Sequence, residues 1–137
     1  MIPEVRKVFA DLLPLHNTLI GNLHFQVGYL PTVLHVLEDF VSKVGQHVQI
    51  LDLEEFGKSL FIDKDLQVAS SDEHLYSSTF VNSGLKLNPS KERAAIIGGG
   101  DGGVARECIS KNFGFIDWYE LDPEVVEVCD KHLGTIG

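Results

Sequence analysis

"AAIIGGGDGGVARE", residues 94–107, decides how this chain folds. Four small or branched apolar residues run straight into three glycines, an aspartate and two more glycines. A helical pattern, "GVARECISKNF", follows at once. A short buried strand that turns sharply into a helix requires backbone freedom at the turn, and glycine supplies it. Downstream the order repeats. "FIDWYEL" (115–121) reads as a second strand and "DPEVVEVCDKHL" (122–133) as a second helix, with Asp122 as cap and Pro123 in the first turn. Strand, helix, strand, helix in this order is the opening of a doubly wound parallel sheet.

Upstream the texture changes. "NPSKER" (88–93) is a polar linker. "SSDEHLYSSTFVNSG" (70–84) predicts a helix, with Ser71 or Asp72 at its start and Gly84 at its end. The adjacent acids Asp72 and Glu73 suit the positive end of that helix. "VQILDL" and "KSLFID" predict a hairpin joined by Glu54–Gly57, with Gly57 at positive φ, and "DLQVAS" predicts a third strand. "PTVLHVLEDFVSKVG" (31–45) predicts a helix: Pro31 suits a first turn, Val33, Val36, Leu37, Phe40 and Val44 share a face, and Gly45 suits a stop. Before it, Val5, Phe9, Leu12 and Leu13 recur at helical spacing up to Pro14, and "LHFQVGY" (23–29) suggests a strand. The expected class is therefore α/β: a small N-terminal β unit, then the first half of a Rossmann-like doubly wound domain. Its divisions are an α/β extension over 1–45, a hairpin unit plus helix over 46–88, and a nucleoside-binding part over 89–137. Two parallel strands leave such a sheet incomplete. The expectation is a fragment, a truncated product or a chain that pairs with a partner.

Charge narrows the ligand. Twenty acidic against eleven basic side chains give a formal net charge of −9. That disfavours a nucleic-acid partner, whose phosphates need basic surface. No apolar run reaches the ~20 residues of a membrane span, and the N-terminus lacks a signal-peptide core. Two cysteines, Cys108 and Cys129, both on expected helices, give no disulfide framework, so a reducing, cytoplasmic setting is expected. Six histidines, at 16, 24, 35, 47, 74 and 132, show no metal-ligand spacing, and no metal is expected.

Gly98, Gly100 and Gly103 satisfy G-x-G-x-x-G between strand and helix, and Glu120 follows Gly100 by 20 residues, where an acid accepts hydrogen bonds from ribose hydroxyls. A dinucleotide would bring its pyrophosphate to this loop. Asp101 opposes that: two like charges about 4 Å apart repel by roughly 4 kcal/mol at an effective dielectric near 20. A nucleoside carrying positive charge beside its ribose, a sulfonium or an ammonium, matches a carboxylate there. The other role open to Asp101 is to cap the helix that follows.

"IIGGGDGGVARE" together with "YELDPEVVEVCDKHL" resembles the aminopropyltransferases, the spermidine and spermine synthases, whose signature is a GGGDGG loop. "FGKSLFIDKDLQ" and "SDEHLY" resemble that family's hairpin and the segment leading into its nucleotide domain. The likeness covers roughly residues 46–135. It implies a methyltransferase-like Rossmann fold and transfer of an aminopropyl group from decarboxylated S-adenosylmethionine, as co-substrate, to a polyamine such as putrescine or spermidine. It implies that Gly98, Gly99, Gly100 and Gly102 line the cofactor, that Asp101 holds the ammonium of its aminopropyl arm and so also borders the acceptor, and that Glu120 takes the ribose. Gln46 matches a glutamine on the sulfur side of the cofactor, and Tyr76 a tyrosine of the polyamine site. The family's acid/base aspartate and its adenine-contacting acid follow the third and fourth strands, beyond Gly137, so no catalytic residue is assigned.

The chain also departs from the pattern. Gly45 stands where the family usually has tyrosine. Ser77 stands where spermidine synthases commonly carry glutamine or histidine, which leans the resemblance slightly toward spermine synthases. Those carry an N-terminal dimerisation domain, and a homodimer or a pairing with a full-length paralogue is the expected assembly. Two rival readings stay open. One is a non-catalytic member that dimerises or regulates. The other is an S-adenosylmethionine-dependent methyltransferase, against which the acid-free "AAIIG" strand counts.

Overall fold

The computed structural model describes residues 31–134. The readings made for residues 1–30 lie outside this range. The chain divides into two units between Ala69 and Ser70. In the first, β1 (Val33–Val41), β2 (His47–Leu53), β3 (Gly57–Ile62) and β4 (Asp65–Ala69) form an antiparallel sheet in sequence order. Leu51, Leu53 and Phe61 are buried on one face, with Val33, Phe56 and Leu66 packed against them. Gly57 turns the β2–β3 hairpin at φ 69°, as expected, and β4 is the expected third strand of the "VQILDL" series. Asp63 and Lys64 carry the next turn, both at positive φ, the backbone that matches strand twist in two-residue hairpins.

The helix expected over 31–45 is a strand. The reason lies in the register of β1 on β2. Val33 pairs with Leu53 and Val36 with Leu51, so three residues of β1 span two of β2. Irregularities between Val33 and His35 and between Val36 and Glu38 insert the extra residues. Bulges stretch the two-residue period toward three, and the apolar positions then imitate a helix face. Gly45 does not stop a helix. It sits at φ 93° in the turn between β1 and β2, its N–H donating to the Ser42 carbonyl at 2.9 Å. Among the described residues the sheet starts at Val33, inside the segment read as an extension.

The second unit runs α1 (Glu73–Leu87), β5 (Arg93–Ile97), α2 (Gly103–Ser110), β6 (Phe115–Tyr119) and α3 (Pro123–Leu133). β5 and β6 are parallel, in register from Arg93 opposite Phe115 to Ile97 opposite Tyr119. α2 is their crossover. Val81, Ile96, Ala105 and Cys108 form its buried centre, joined by Trp118, Phe113 and Ile116. Asp122 caps α3 by accepting from the Glu124 N–H at 3.1 Å, and Pro123 occupies the first turn, both as expected. Gly84 does not end α1. The helix continues through Leu87, and Asn88 closes it with its N–H on the Gly84 carbonyl. A lone glycine costs a helix only about 1 kcal/mol, too little to terminate one whose far end is held by packing.

Candidate nucleoside site

The carboxyl ends of β5 and β6 lie side by side, because Ile97 and Tyr119 are paired. Residues that follow the two strands therefore meet at one edge of the sheet, the position where open α/β sheets bind ligands. Gly98 and Gly99 turn the chain out of β5 at φ 83° and 69°. The loop is pinned to β6 twice: Gly98 N–H donates to the Tyr119 carbonyl at 2.8 Å, and Trp118 Nε1 donates to the Gly98 carbonyl at 2.8 Å. Gly102 reaches φ 82° and opens α2 as its N-cap residue.

Gly100 and Glu120 are brought together. A methyl group on Gly100 would lie 2.9 Å from Glu120 Oε2 and 2.9 Å from the Val125 side chain. Only a bare Cα allows this approach. Glu120 is held by its other oxygen, which accepts the Asp122 N–H at 3.0 Å, so one carboxylate edge is fixed beside the loop.

Asp101 accepts the Gly103 N–H at 2.9 Å through Oδ2, occupying one of the donors that α2 leaves unsatisfied at its start. Burial raises its proton affinity, and the Gly103 hydrogen bond only partly offsets this. A carboxylate desolvated in this way gains more from a cationic ligand than an exposed one does. Both acids also act on Cys129 in α3. Its thiol is pushed up to about 12 by burial, then by the charges of Asp101 and Glu120.

Tyr76 is exposed on α1, stacked on Phe80 with ring centroids 6.0 Å apart. Together with Leu75, Thr79 and Leu87 these rings line a cavity of about 770 Å³. Gln46 belongs to the first unit, where its N–H donates to Ser42 Oγ at 3.2 Å. Both cysteines are buried free thiols. Among the described residues no cluster of three histidines, cysteines or acids is placed to hold a metal ion, and no helix is long and apolar enough to cross a membrane.

The spermine/spermidine synthase domain matches residues 73–137. This chain belongs to that family. A polyamine aminopropyltransferase of Korarchaeum cryptofilum is 40% identical over 134 residues, which is 98% of this chain and 40% of that protein. A crystal structure of a spermidine synthase in complex with the transition-state analogue AdoDATO superposes with a TM-score of 0.69 at 27% identity, covering 77% of this chain and 37% of the other. The spermidine synthase of Thermotoga maritima gives a TM-score of 0.68 at 26% identity, over 76% and 36% of the two chains. The chain thus spans well under half the length of these relatives.

One part of the family loop's surroundings escaped the sequence. Glu73, expected merely to favour a helix start, is 5% exposed. Arg106 grips it with both guanidinium arms, at 2.8 Å on Oε2 and 3.0 Å on Oε1, and Ser77 Oγ donates to Oε1 at 2.8 Å. Ser77 is therefore turned inward onto Glu73. The signal was faint: Arg106 is the one basic residue in the first two turns of α2, and its partner lies 33 positions away.

Proposed function

We propose that this chain supplies the nucleoside-binding part of an aminopropyltransferase, which moves the aminopropyl group of decarboxylated S-adenosylmethionine onto a polyamine amine. One observation carries the reading: a desolvated acid, Asp101, stands at the centre of the glycine loop, within the same strand edge as Glu120. A dinucleotide would meet repulsion there. A sulfonium nucleoside with an ammonium arm meets a carboxylate. The names of the relatives agree with this, as does the AdoDATO complex of a structural neighbour.

In the reaction a neutral amine attacks the carbon beside the sulfonium. The new carbon–nitrogen bond forms as the carbon–sulfur bond breaks, the sulfur keeps the electron pair, and the amine gives up a proton. Gly98, Gly99, Gly100 and Gly102 admit the nucleoside close to the backbone. Glu120 takes the ribose hydroxyls, and Asp101 the ammonium of the aminopropyl arm. Gln46 serves the sulfur side and Tyr76 the acceptor, putrescine or spermidine. Ser77 is committed to Glu73, so the acceptor is read by other positions. No residue of this chain is assigned to take the amine's proton. Such positioning alone lowers a barrier substantially, but proton removal needs a base. We place the reaction in the cytoplasm and in a dimer.

Calorimetry with decarboxylated S-adenosylmethionine and with NAD tests the ligand class. Heat with the first and none with NAD is expected, together with no polyamine formation by the purified 137-residue chain. Clear binding of NAD, with silence from the sulfonium, removes the reading.

A further inference from the structure

Two carboxylates and two cations form a network along α2. Arg106 holds Glu73 and also reaches Glu107 at 3.2 Å, and Lys111 closes on Glu107 at 3.1 Å. His74 lies 3.7 Å from Glu107 as well. Glu73 and Ser77 press on the Cα of Gly103 so closely that a methyl group there would overlap both, and Asp101 Oδ2 would lie 2.9 Å from the same methyl. Two acids from different elements, Glu73 of α1 and Asp101 of the loop, therefore converge on one glycine. Side by side and uncompensated, two carboxylates do not both stay ionised.

We propose that Arg106 is a positioning residue for the cationic ligand: by clamping Glu73 in a two-armed pair, it cancels that acid's field and keeps Asp101 as the acceptor for the ligand's ammonium. This rests on the function proposed above. The fork geometry of arginine makes the clamp possible, since two parallel N–H groups satisfy both carboxylate oxygens. Ser77 adds a third donor to Glu73. The influences on Asp101 run in the matching directions, Glu73 raising its proton affinity and Arg106 lowering it. Glu107, Lys111 and His74 belong to the same network through Arg106, and Cys129 of α3 feels the charges of both Asp101 and Glu120.

The test measures affinity of the 137-residue chain for decarboxylated S-adenosylmethionine and for its neutral product, methylthioadenosine, from pH 3 to 9. In the unsubstituted chain the preference for the cation declines as acid protonates Asp101. Arg106→Met moves the midpoint of that decline upward by about one pH unit or more, the size an adjacent charge imposes on a carboxyl. Glu73→Gln moves it downward, since Arg106 then acts on Asp101 alone. The double variant Glu73→Gln/Arg106→Met returns it to near the original value. Arg106→Lys keeps the charge but not the fork, and shifts it only slightly upward. If Arg106→Met fails to fold, the downward shift in Glu73→Gln decides the matter. Equal weakening of both nucleosides with a fixed midpoint makes Arg106 a mere brace and overturns the proposal, as does an upward or absent shift in Glu73→Gln. A chain that shows no preference for the cation at any pH removes the proposed function itself, and this inference with it.

Discussion

Gly103→Ala pits two effects of opposite sign against each other. Gly103 is the first residue of α2, and alanine there gains up to about 1 kcal/mol of helix propensity. Its φ is not in the left-handed region, so the backbone itself accepts a side chain. Against this, the new methyl would overlap Glu73 Oε1 and Ser77 Oγ and would lie 2.9 Å from Asp101 Oδ2. Relief requires Glu73 to retreat. It then loses the 3.0 Å bond from Arg106 Nη2 and the 2.8 Å bond from Ser77. Hydrogen bonds to a charged group contribute about 1.5–3 kcal/mol each, and overpacking a closed site costs about 1–3 kcal/mol on its own scale. From the two lost hydrogen bonds alone, less the propensity gain, the net loss is about 2–5 kcal/mol. For a unit of this size each kcal/mol moves the melting temperature by about 4–8 °C, so a fall of roughly 10 °C or more is expected in thermal and urea unfolding. An unchanged or higher melting temperature means that the contacts around Gly103 yield freely, and refutes the picture of a fixed Glu73.

Asp101→Asn should weaken binding of decarboxylated S-adenosylmethionine by about 10- to 100-fold, the loss of one charge-assisted hydrogen bond, and barely alter methylthioadenosine in calorimetry. The same variant should raise the melting temperature at pH 7. Asp101 binds a proton more tightly folded than unfolded, so its ionisation costs stability as pH rises through the raised value, and no cost arises below the unfolded one; a lower melting temperature at pH 7 contradicts this. Glu120→Gln should weaken both nucleosides by similar factors, because both carry the ribose; a loss confined to the cation counts against the ribose role. Asp122→Ala should cost about 1 kcal/mol in urea unfolding through loss of the α3 cap, with no change in the nucleoside preference.

Much of the second unit was legible because its signals are local. Glycines at a strand end, a proline behind a capping aspartate and short branched strands each fix a few backbone angles whatever surrounds them. The 20-residue step from Gly100 to Glu120 also follows from local rules, since a parallel crossover of fixed length returns the chain to the same edge. The first sheet was less legible. Bulges in β1 rewrote the apolar period, and a bulge is set by the register against β2, which no single segment contains.

What the sequence by itself determined is therefore the order of elements in the second unit, the glycine loop with its aspartate, and the family likeness that follows from them. These depend on neighbours along the chain. The tertiary structure alone decided that Glu73 is buried, that Arg106 reaches across 33 positions to clamp it, and that Glu73 and Ser77 bear on Gly103 beside Asp101. A charge on a helix reads as solvated until packing removes its water, and the partner that makes its burial tolerable is chosen by distance in space, which sequence separation does not reveal.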